Sequence, residues 1–379
     1  MLKANSAIRV LHVYRTYYPD SQGGLEEVIR QICLNTQDAG VESRVFALSP
    51  SPDPISILRP EGLVYRSQRS FSLASCDIGL FSLPLFTELV SWCDVIHYHF
   101  PWPFGDLLHL LVKVDKPAIL TYHSDIVRQQ FLSKLYRPLM RKFLKKINTI
   151  ICTSPNYARS SYVLAEMSHK VQVIPIGIDD RLNELSDIDK DLGLIEIPTG
   201  NFFLFLGVLR YYKGLHTLLE AMKGQSLQCV VAGSGPLEKK IRRYADENNM
   251  ENVQFLGSVD ERVKLSLLRA CSGLVLPSHL RSEAFGVVLV EAAMMGKPLI
   301  SAEIGTGTSY VNLDGITGIV VPPNSPEHLR KALLRLARNP GLAEKMGEAA
   351  RSRYEAHFSG PGMGSQYAKV YQRVISPLY

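Results

Sequence analysis

Two glutamates separated by seven residues, Glu283 and Glu291, carry the strongest chemical signal in the sequence. The first follows a strand-like run at 273–277, and the second lies in a helical pattern that starts near Phe285. A helix start offers free N–H groups and partial positive charge, so a diphosphate could bind there with both carboxylates facing the ligand. The spacing alone also fits one glutamate that favours the helix dipole and one that is solvated. Other residues must therefore decide between the two interpretations.

Two cations, Arg210 and Lys213, follow a second strand-like run at 202–207. Cations directly after a strand end are well placed to neutralise a departing diphosphate. A surface turn with solvated charges would have the same sequence, so the pair is an indication and not a proof.

Three glycine-containing turns each lie between a strand pattern and a helix pattern. They are Gly23-Gly24, Gly233-Ser234-Gly235 and the run 303–309. Such turns let the backbone approach an anion, although ordinary loops and helix caps explain them equally well. The second turn begins like a dinucleotide fingerprint but has a glutamate where the third glycine belongs, which argues against a dehydrogenase.

Three histidines, His97, His99 and His123, end two successive predicted strands. Such residues can be metal ligands, acid–base groups or hydrogen-bond donors to a sugar. Together with Asp125 they are too few to indicate a metal site. We expect His97 to be structural, and we expect functional roles for His99 and above all for His123.

These residues must be positioned by short apolar strands that alternate with amphipathic helices. The predicted strands are 8–14, 44–48, 94–97, 118–122, 149–152 and 171–174, then 202–207, 227–232, 253–256, 274–276, 299–302 and 318–321. The predicted helices include 236–249, 261–271 and 326–337. Two alternating series imply an α/β protein with two doubly wound, Rossmann-like domains. The boundary is expected after Asp179, with a connection at 180–200 and the site in the cleft between the two sheets.

Composition and charge narrow the class of protein. A chain of 379 residues with 46% hydrophobic and 21% charged residues fits two well-packed domains. No run of eighteen apolar residues is present, and no cleavable apolar leader precedes the first strand, so we expect a cytoplasmic protein. The six cysteines form no Cys-x-x-Cys pair, so neither disulfides nor a zinc site is expected.

A basic segment at 128–147 predicts an amphipathic helix that contacts an anionic membrane surface at the inner face of the cytoplasmic membrane. No acidic residue occurs between 126 and 165, whereas cations recur there. These cations are Arg128, Lys134, Arg137, Arg141, Lys142, Lys145, Lys146 and Arg159. The apolar positions are Phe131, Leu132, Leu135, Leu139, Phe143, Leu144 and Ile147. A core-facing apolar stripe with a solvated basic back is the alternative, and the two interpretations are compatible. Nucleic acid is not expected, because no recognised binding motif accompanies the charge.

In this order, the motifs resemble those of the retaining glycosyltransferases of family GT4, which have the GT-B fold. The resemblance covers nearly the whole chain, and its most specific part is Glu-x7-Glu with a Lys-Gly pair upstream. The matching elements are Gly23-Gly24, His99, Thr121-Tyr122-His123, Pro175-x-Gly177-Ile178-Asp179, Arg210, Lys213-Gly214, Gly233-x-Gly235 and Glu283-x7-Glu291. The segments 209–214 and 305–310 look like those of bacterial O-antigen mannosyl- or rhamnosyltransferases that use GDP-sugars.

The resemblance implies a role for each of these residues. Glu283 would position the donor sugar and stabilise charge at the anomeric centre, and Glu291 would bind the nucleotide ribose. The implied catalytic residues are Glu283, His123 and Lys213, and the acceptor-binding residues are His99 and His123. The implied donor-binding residues are Gly23, Gly24, Arg210, Lys213, Gly233, Glu283, Phe285, Gly286, Glu291, Thr306 and Gly307. Relatives commonly have an arginine where this chain has Val208, so Arg210 is expected to replace it.

The implied organisation is an acceptor-binding domain at 1–179 and a donor-binding domain at 180–359. A last helix at about 360–379 would pack back on the first domain. No metal and no cofactor is implied, because cations and helix ends offset the phosphate charge. The implied function is transfer of mannose or rhamnose from a GDP-sugar to a polyprenyl-diphosphate-linked saccharide in lipopolysaccharide O-antigen synthesis. The alternatives are a nucleotide-sugar 2-epimerase of the same fold and a non-catalytic subunit that binds nucleotide-sugar.

Overall fold

A computed structural model describes residues 7–73, 76–126, 130–182 and 200–376, with side chains at all of these positions except 130–134. The chain divides into two units, Met1–Ile178 together with Gly360–Tyr379, and Asp179–Ser359. The predicted boundary after Asp179 falls one residue from this division. Most of the predicted connection, residues 183–199, lies outside the described residues.

The first unit is built on a sheet whose central strands are apolar and buried. Its strands are β1 (Ile8–Val13), β2 (Val41–Ser49), β3 (Ser56–Arg59), β4 (Gly62–Gln68), β7 (Val95–Phe100), β8 (Ala118–Tyr122), β9 (Thr149–Cys152) and β10 (Val171–Val173), while β5 (Phe71–Leu73) and β6 (Cys76–Ile78) form a separate ribbon. Among the described residues the sheet order is β10-β9-β8-β7-β1-β2-β4-β3. All neighbours are parallel except β3 and β4. The continuous apolar strands follow from burial of both faces of a parallel sheet.

Helices lie between these strands, as the alternation predicts. They are α1 (Gly24–Thr36), α2 (Leu83–Trp92), α3 (Pro103–Val112), α4 (Gln130–Lys146), α5 (Pro155–Ser160) and α6 (Tyr162–Glu166). Among the described residues, none of the chain's helices is both long and apolar enough to cross a membrane.

The second unit repeats the same architecture. Its strands are β11 (Phe202–Leu206), β12 (Gln228–Ala232), β13 (Val253–Gly257), β14 (Gly273–Leu276), β15 (Leu299–Ala302) and β16 (Gly318–Val321), all parallel in the order β13-β12-β11-β14-β15-β16. Its helices are α7 (Leu215–Met222), α8 (Glu238–Glu247), α9 (Glu261–Ala270), α10 (Val287–Met294), α11 (Thr308–Val311), α12 (Pro326–Arg338) and α13 (Pro340–His357). The predicted fold of two doubly wound α/β units is confirmed.

The last helix, α14 (Gly360–Ile375), belongs to the first unit and not to the second. It packs against α1, and Met363, Tyr367 and Tyr371 on its inner face are buried. This is the packing that the resemblance implied for the end of the chain.

Each sheet has one point at which the strand order reverses. In the first unit it lies between β1 and β7, and in the second between β11 and β14. Two neighbouring loops leave in opposite directions there, and open α/β sheets bind ligands in the resulting crevice. The reversal points therefore select which strand-end residues come together.

Candidate functional site

Lys213 and Glu283 form a buried ion pair beside the reversal point of the second sheet. Lys213 follows β11 in a single turn of 3-10 helix, and Glu283 follows β14 in the loop before α10. The Lys213 Nζ lies 2.5 Å from the Glu283 Oε2, and the two side chains are only 12% and 11% exposed. The two sequence motifs thus meet because β11 and β14 are adjacent.

The loop that carries Lys213 is fixed directly on the end of β14. The His279 N–H donates to the Tyr212 carbonyl at 2.9 Å. Gly214 has a φ of +74°, and a Cβ at that position would lie 2.0 Å from the Pro277 carbonyl oxygen. Only glycine fits this contact without a backbone shift, which explains the Lys-Gly pair in the sequence.

The pKa of Lys213 results from two opposing effects. Burial alone would lower the pKa, but the charge and hydrogen bond of Glu283 outweigh burial and raise it above its usual value. The exposed Arg210 acts in the opposite direction and lowers the pKa of Lys213 through charge repulsion. Lys213 is therefore a permanent cation at neutral pH.

Glu283 is also held by groups other than Lys213. The Ser278 hydroxyl donates to its Oε2 at 3.1 Å, and the Thr306 hydroxyl donates to its backbone carbonyl at 2.8 Å. The Gly307 N–H donates to the carbonyl of Ala284, the next residue, at 2.8 Å. The predicted donor-binding residues Thr306 and Gly307 thus brace the Glu283 loop.

The turn at 303–309 is held in part by hydrogen bonds among its own residues. The Gly305 N–H and the Ser309 hydroxyl both donate to Glu303 Oε1, at 2.8 and 3.1 Å. The Thr308 hydroxyl donates to the Ala302 carbonyl at 3.3 Å. This arrangement matches the capping explanation, and an acidic side chain occupies the place where the sequence suggested an anion.

Glu291 lies within α10, as predicted, but has a partner that the sequence did not reveal. Its Oε1 lies 2.7 Å from the Nζ of Lys264 on α9, and Lys264 also pairs with Glu261 at 2.7 Å. Burial alone would lower the pKa of Lys264, yet the two carboxylates raise it. Lys264 was missed because a lysine on an amphipathic helix has the sequence pattern of a solvated face.

Two further glycines of the second unit, Gly233 and Gly235, let adjacent loops cross. Gly233 has a φ of +131°, and a Cβ there would lie 2.1 Å from the Gly207 carbonyl oxygen. A Cβ on Gly235 would lie 2.7 Å from the Leu209 nitrogen. Gly286 is the residue before α10 and has a φ of +83°, while the neighbouring Phe285 is buried. These residues shape the loops around Lys213 and Glu283.

In the first unit, Gly23 and Gly24 stand at the start of α1 with different surroundings. A Cβ on Gly23 would lie 2.7 Å from the Oε2 of Glu26, a buried carboxylate that also accepts hydrogen bonds from Thr16 and Ser21. A Cβ on Gly24 would meet no described atom within 4 Å. The space beside Gly24 is therefore open, which is what close approach of a ligand to the backbone requires.

His123 ends a row of three buried histidines. His12 Nδ1 lies 3.1 Å from His99 Nε2, and His99 Nδ1 lies 3.1 Å from His123 Nε2. Burial lowers the pKa of His12 and of His123 to about 3. His99 is only 1% exposed with both ring nitrogens engaged. His99 is thus held by His12 and His123, and acceptor binding by His99 and His123 stays a prediction.

His97 is structural, as predicted. Its Nε2 lies 2.7 Å from the Thr121 hydroxyl, and its Nδ1 lies 2.9 Å from the Tyr371 hydroxyl on α14. One nitrogen from each of His12, His97 and His99 lies within 4.8 Å of the others. The absence of a metal requirement therefore stays a prediction.

The basic helix α4 divides its apolar residues between the core and the surface. Two apolar residues of the helix, Phe143 and Leu144, are buried, and so is Ile147, directly after the helix end. Leu135, in contrast, is 78% exposed. The cations Arg137, Arg141, Lys142, Lys145 and Lys146 are exposed. Arg128 lies outside the described residues, as do the side chains of Phe131, Leu132 and Lys134. The buried residues fit a core-facing apolar stripe, and contact of the exposed basic side with a membrane stays a prediction.

Comparison with known proteins finds glycosyltransferase family matches in both units. Residues 22–182 match the family description "Glycosyltransferase Family 4", and residues 189–353 match "Glycosyl transferases group 1". The chain is 45% identical to the D-rhamnosyltransferase WbpZ of Pseudomonas aeruginosa, over 93% of this chain and 92% of that protein. It is 41% identical to the O-antigen chain mannosyltransferase C of Escherichia coli, over 97% and 99% of the two chains.

Two solved structures share the fold at low sequence identity. Sucrose-phosphate synthase from Thermosynechococcus elongatus has a TM-score of 0.78 at 22% identity, covering 97% of this chain and 99% of that one. Anabaena HepE in complex with UDP and glucose has a TM-score of 0.77 at 16% identity, covering 96% and 99%.

Proposed function

Because this chain belongs to the family 4 glycosyltransferases, we propose that it transfers mannose or D-rhamnose from a GDP-sugar to a lipid-linked saccharide in O-antigen synthesis. The two relatives above support the class of sugar and the pathway, since their names specify D-rhamnosyl transfer and O-antigen mannosyl transfer. The two sugars differ only in the hydroxyl at C6, so one site can be built for either.

The buried Lys213–Glu283 pair carries this proposal. A leaving nucleoside diphosphate develops negative charge, and Lys213, held by Glu283, supplies positive charge from a fixed position, with Arg210 as a second cation in the same loop. Glu283 supplies a carboxylate that positions the sugar and stabilises positive charge at the anomeric carbon. The pair keeps both groups in place before the donor binds, which reduces the reorganisation that transfer requires.

Glu291 and the first unit would bind the rest of the substrates. Lys264 occupies Oε1 of Glu291, and a carboxylate has a second oxygen that can accept hydrogen bonds from ribose hydroxyls. The open backbone at Gly24, at the start of α1, suits a phosphate oxygen. His123 would contact the reacting sugar and the acceptor.

We propose that the reaction retains the configuration of the anomeric carbon and needs no divalent metal. Cations beside the departing diphosphate offset its negative charge, which a bound metal ion offsets in metal-dependent enzymes. Transfer should therefore continue in EDTA. Complete loss of transfer that Mn²⁺ restores would contradict this part of the proposal.

Donor choice and product analysis test the proposed function directly. The full-length protein is incubated with GDP-mannose, GDP-D-rhamnose, UDP-glucose or UDP-GlcNAc and a polyprenyl-diphosphate-linked GlcNAc acceptor. We expect a glycosylated lipid from a GDP-sugar, detected by mass spectrometry, with an α-linkage shown by NMR. Conversion of the donor without acceptor would indicate an epimerase, and transfer only from UDP-sugars would exclude the proposed donor.

We further propose that α4 holds the enzyme on the anionic membrane where a lipid-linked acceptor is located. The support is the exposed basic face of this helix together with the exposed Leu135. Tyr162 on α6 adds a second exposed apolar side chain, and the Arg137 guanidinium lies 6.0 Å from its ring centre. Aromatic, aliphatic and cationic groups together suit the headgroup region of a bilayer.

A further inference from the structure

Two buried histidines, His12 and His99, form a row with His123, and neither has a role in the reaction proposed above. His12 Nδ1 faces His99 Nε2 at 3.1 Å, and His99 Nδ1 faces His123 Nε2 at 3.1 Å. The two pairs of ring planes are nearly parallel, with interplanar angles of 18° and 23°. The three rings therefore form one continuous hydrogen-bonded row that ends at His123.

The strands explain why the row forms. His12 on β1 is in register with His97 on β7, so His99, two residues further along β7, lies on the same face of the sheet. His123 follows β8, the next strand, and its backbone N–H donates to the Phe100 carbonyl at 3.1 Å. Three neighbouring strands thus each contribute one ring.

Only two hydrogen-bond arrangements satisfy a row of three neutral imidazoles, because each ring has one N–H and one lone pair. In the outward arrangement, His12 donates to His99, His99 donates to His123, and the proton of His123 is on Nδ1. In the inward arrangement every bond is reversed, so His123 carries its proton on Nε2 and a lone pair on Nδ1. Burial keeps the rings neutral at pH 7, since it lowers the pKa of both end rings to about 3 and that of His99 well below its usual value.

The far end of the row selects the arrangement. The His12 Nε2 is buried and has no hydrogen-bond partner among the described residues. The inward arrangement would place a proton there and bury an N–H without an acceptor, whereas the outward arrangement buries only a lone pair. Orphaned buried N–H groups are the rarer of the two in native backbones, and the same asymmetry applied to the imidazole favours the outward arrangement.

We propose that His12 and His99 are positioning residues that hold His123 as the Nδ1–H tautomer. His123 then presents its Nδ1–H as a hydrogen-bond donor on the side of the ring away from His99. Its Nδ1 does not act as a base. The tautomer stands on the geometry of the first unit alone. The ligand of this donor, an oxygen acceptor on the nucleotide-sugar or the acceptor saccharide, rests on the proposed function.

Nitrogen NMR of the full-length protein labelled with ¹⁵N-histidine tests the tautomer. The protonated and unprotonated ring nitrogens of a neutral imidazole have well-separated chemical shifts, and His123→Gln identifies the His123 signals. We expect Nδ1 of His123 to be the protonated nitrogen at pH 7 in the wild-type protein. A protonated Nε2 would overturn the proposal, and this measurement requires no folded variant of His12.

Two substitutions of His12 test whether it positions His123. His12→Asn keeps an N–H donor close to the place of Nδ1, whereas His12→Phe keeps the ring volume and removes the donor. We expect His12→Asn to preserve the tautomer and the kcat/KM for transfer. His12→Phe should mix the two tautomers of His123 and lower kcat/KM about tenfold, the scale of one hydrogen bond.

The outcomes separate this inference from the proposed function. An unchanged His123 tautomer and an unchanged kcat/KM in a folded His12→Phe variant would overturn the positioning role. Equal losses in His12→Asn and His12→Phe would also overturn it, because they would indicate a packing role. An Nδ1–H tautomer in a protein without transfer activity would support the positioning role and overturn the proposed function instead.

Discussion

At the scale of single residues, the Lys213–Glu283 pair matters because both charges are largely removed from water. Each charge is costly to bury alone, and removal of one partner from such a pair costs about 3–5 kcal/mol in stability. The pair therefore holds both charged groups in place within the folded unit. The same burial means that substitutions at either position must be tested for folding as well as for activity.

Neutral, near-isosteric substitutions of the pair should remove activity. Glu283→Gln and Lys213→Met should each lower kcat for transfer at least a hundredfold, because a preorganised electrostatic group is lost. The measurement is initial-rate transfer from the GDP-sugar donor, with circular dichroism as the folding check. Glu344→Gln, which changes an exposed carboxylate on α13 of the same unit, is the matched control.

The double variant Glu283→Gln/Lys213→Met adds a stability test of the pair. It should be more stable to urea than either single variant, since it leaves no unpaired buried charge. Wild-type kcat in both folded single variants would remove the pair from the mechanism.

Buried histidines should make the first unit sensitive to mild acid. An unfolded histidine has a pKa near 6.5 and gains a proton below that pH, whereas His12 and His123 have pKa values of about 3 when folded. Between pH 6.5 and 3 the unfolded state binds more protons, so the free energy of unfolding falls as the pH falls. The expected loss is about 1 kcal/mol per histidine from pH 7 to pH 5.5.

Tryptophan fluorescence during urea unfolding measures the free energy of unfolding of the first unit at each pH. The chain's only tryptophans, Trp92 and Trp102, both lie in the first unit. His12→Asn should show a shallower dependence on pH than the wild type. Equal stability of the wild-type first unit at pH 7 and pH 5.5 would contradict the neutral state of the buried rings.

At the scale of elements, α4 combines a buried apolar side with an exposed basic side. Its C-terminal part anchors the helix through buried Phe143 and Leu144. Tyr136 adds a hydrogen bond to Asp106 of α3, whose pKa burial raises to about 8. The cations on the opposite side stay in solvent, so they can bind an anionic surface without any change in the core.

Removal of three cations from α4 should weaken membrane binding. Each basic residue near an anionic bilayer contributes about 1 kcal/mol, so Lys142→Gln/Lys145→Gln/Lys146→Gln should weaken binding about a hundredfold. Sedimentation with vesicles of phosphatidylglycerol and phosphatidylethanolamine measures it. The control is Lys239→Gln/Lys240→Gln/Lys345→Gln, the same charge change at exposed positions of the second unit. Equal binding by the two triple variants would remove the role of α4.

At the scale of the whole molecule, the last helix, α14, completes the packing of the first unit. Helix α14 supplies buried Tyr367 and Tyr371, whose hydroxyls lie 2.9 Å from the Thr121 hydroxyl and from His97 Nδ1. The first unit therefore cannot reach its full packing until the second unit has been synthesised. The first unit is therefore made of two segments that are not continuous in sequence.

Truncation before Gly360 should unfold or strongly destabilise the first unit. The loss of Met363, Tyr367 and Tyr371 would leave their buried contacts unfilled, at a cost of about 3–5 kcal/mol for each large aromatic side chain. Tryptophan fluorescence should show a much lower unfolding midpoint, or none. Tyr371→Phe, which deletes one hydroxyl, should cost only about 1–2 kcal/mol. A truncated chain with the wild-type midpoint would contradict the structural role of α14.

Most strands of the two sheets were predictable, because strands buried on both faces appear in the sequence as apolar runs. The strands β3 and β5 were missed because they are short and expose much of their surface. The strands β4 and β6 were missed because β4 ends in three polar residues and β6 has only three residues, so neither forms an apolar run. Residue type and spacing indicated Lys213, Glu283 and His123 as candidate site residues, and their roles stay predictions. Lys264 and His12 were missed because one resembled a solvated cation and the other a single histidine in an apolar strand.

The sequence by itself determined the class of fold, the two α/β series and the candidate residues for binding a sugar diphosphate, because periodicity and turn chemistry act over short stretches of chain. Only the tertiary structure decided which of these residues meet. Strand order placed β14 beside β11 and so joined Glu283 to Lys213, and it placed β7 between β1 and β8 and so aligned His12, His99 and His123. Burial then keeps the histidines neutral, because removal from water disfavours their charged form, whereas the charge of Glu283 keeps Lys213 charged against the effect of burial.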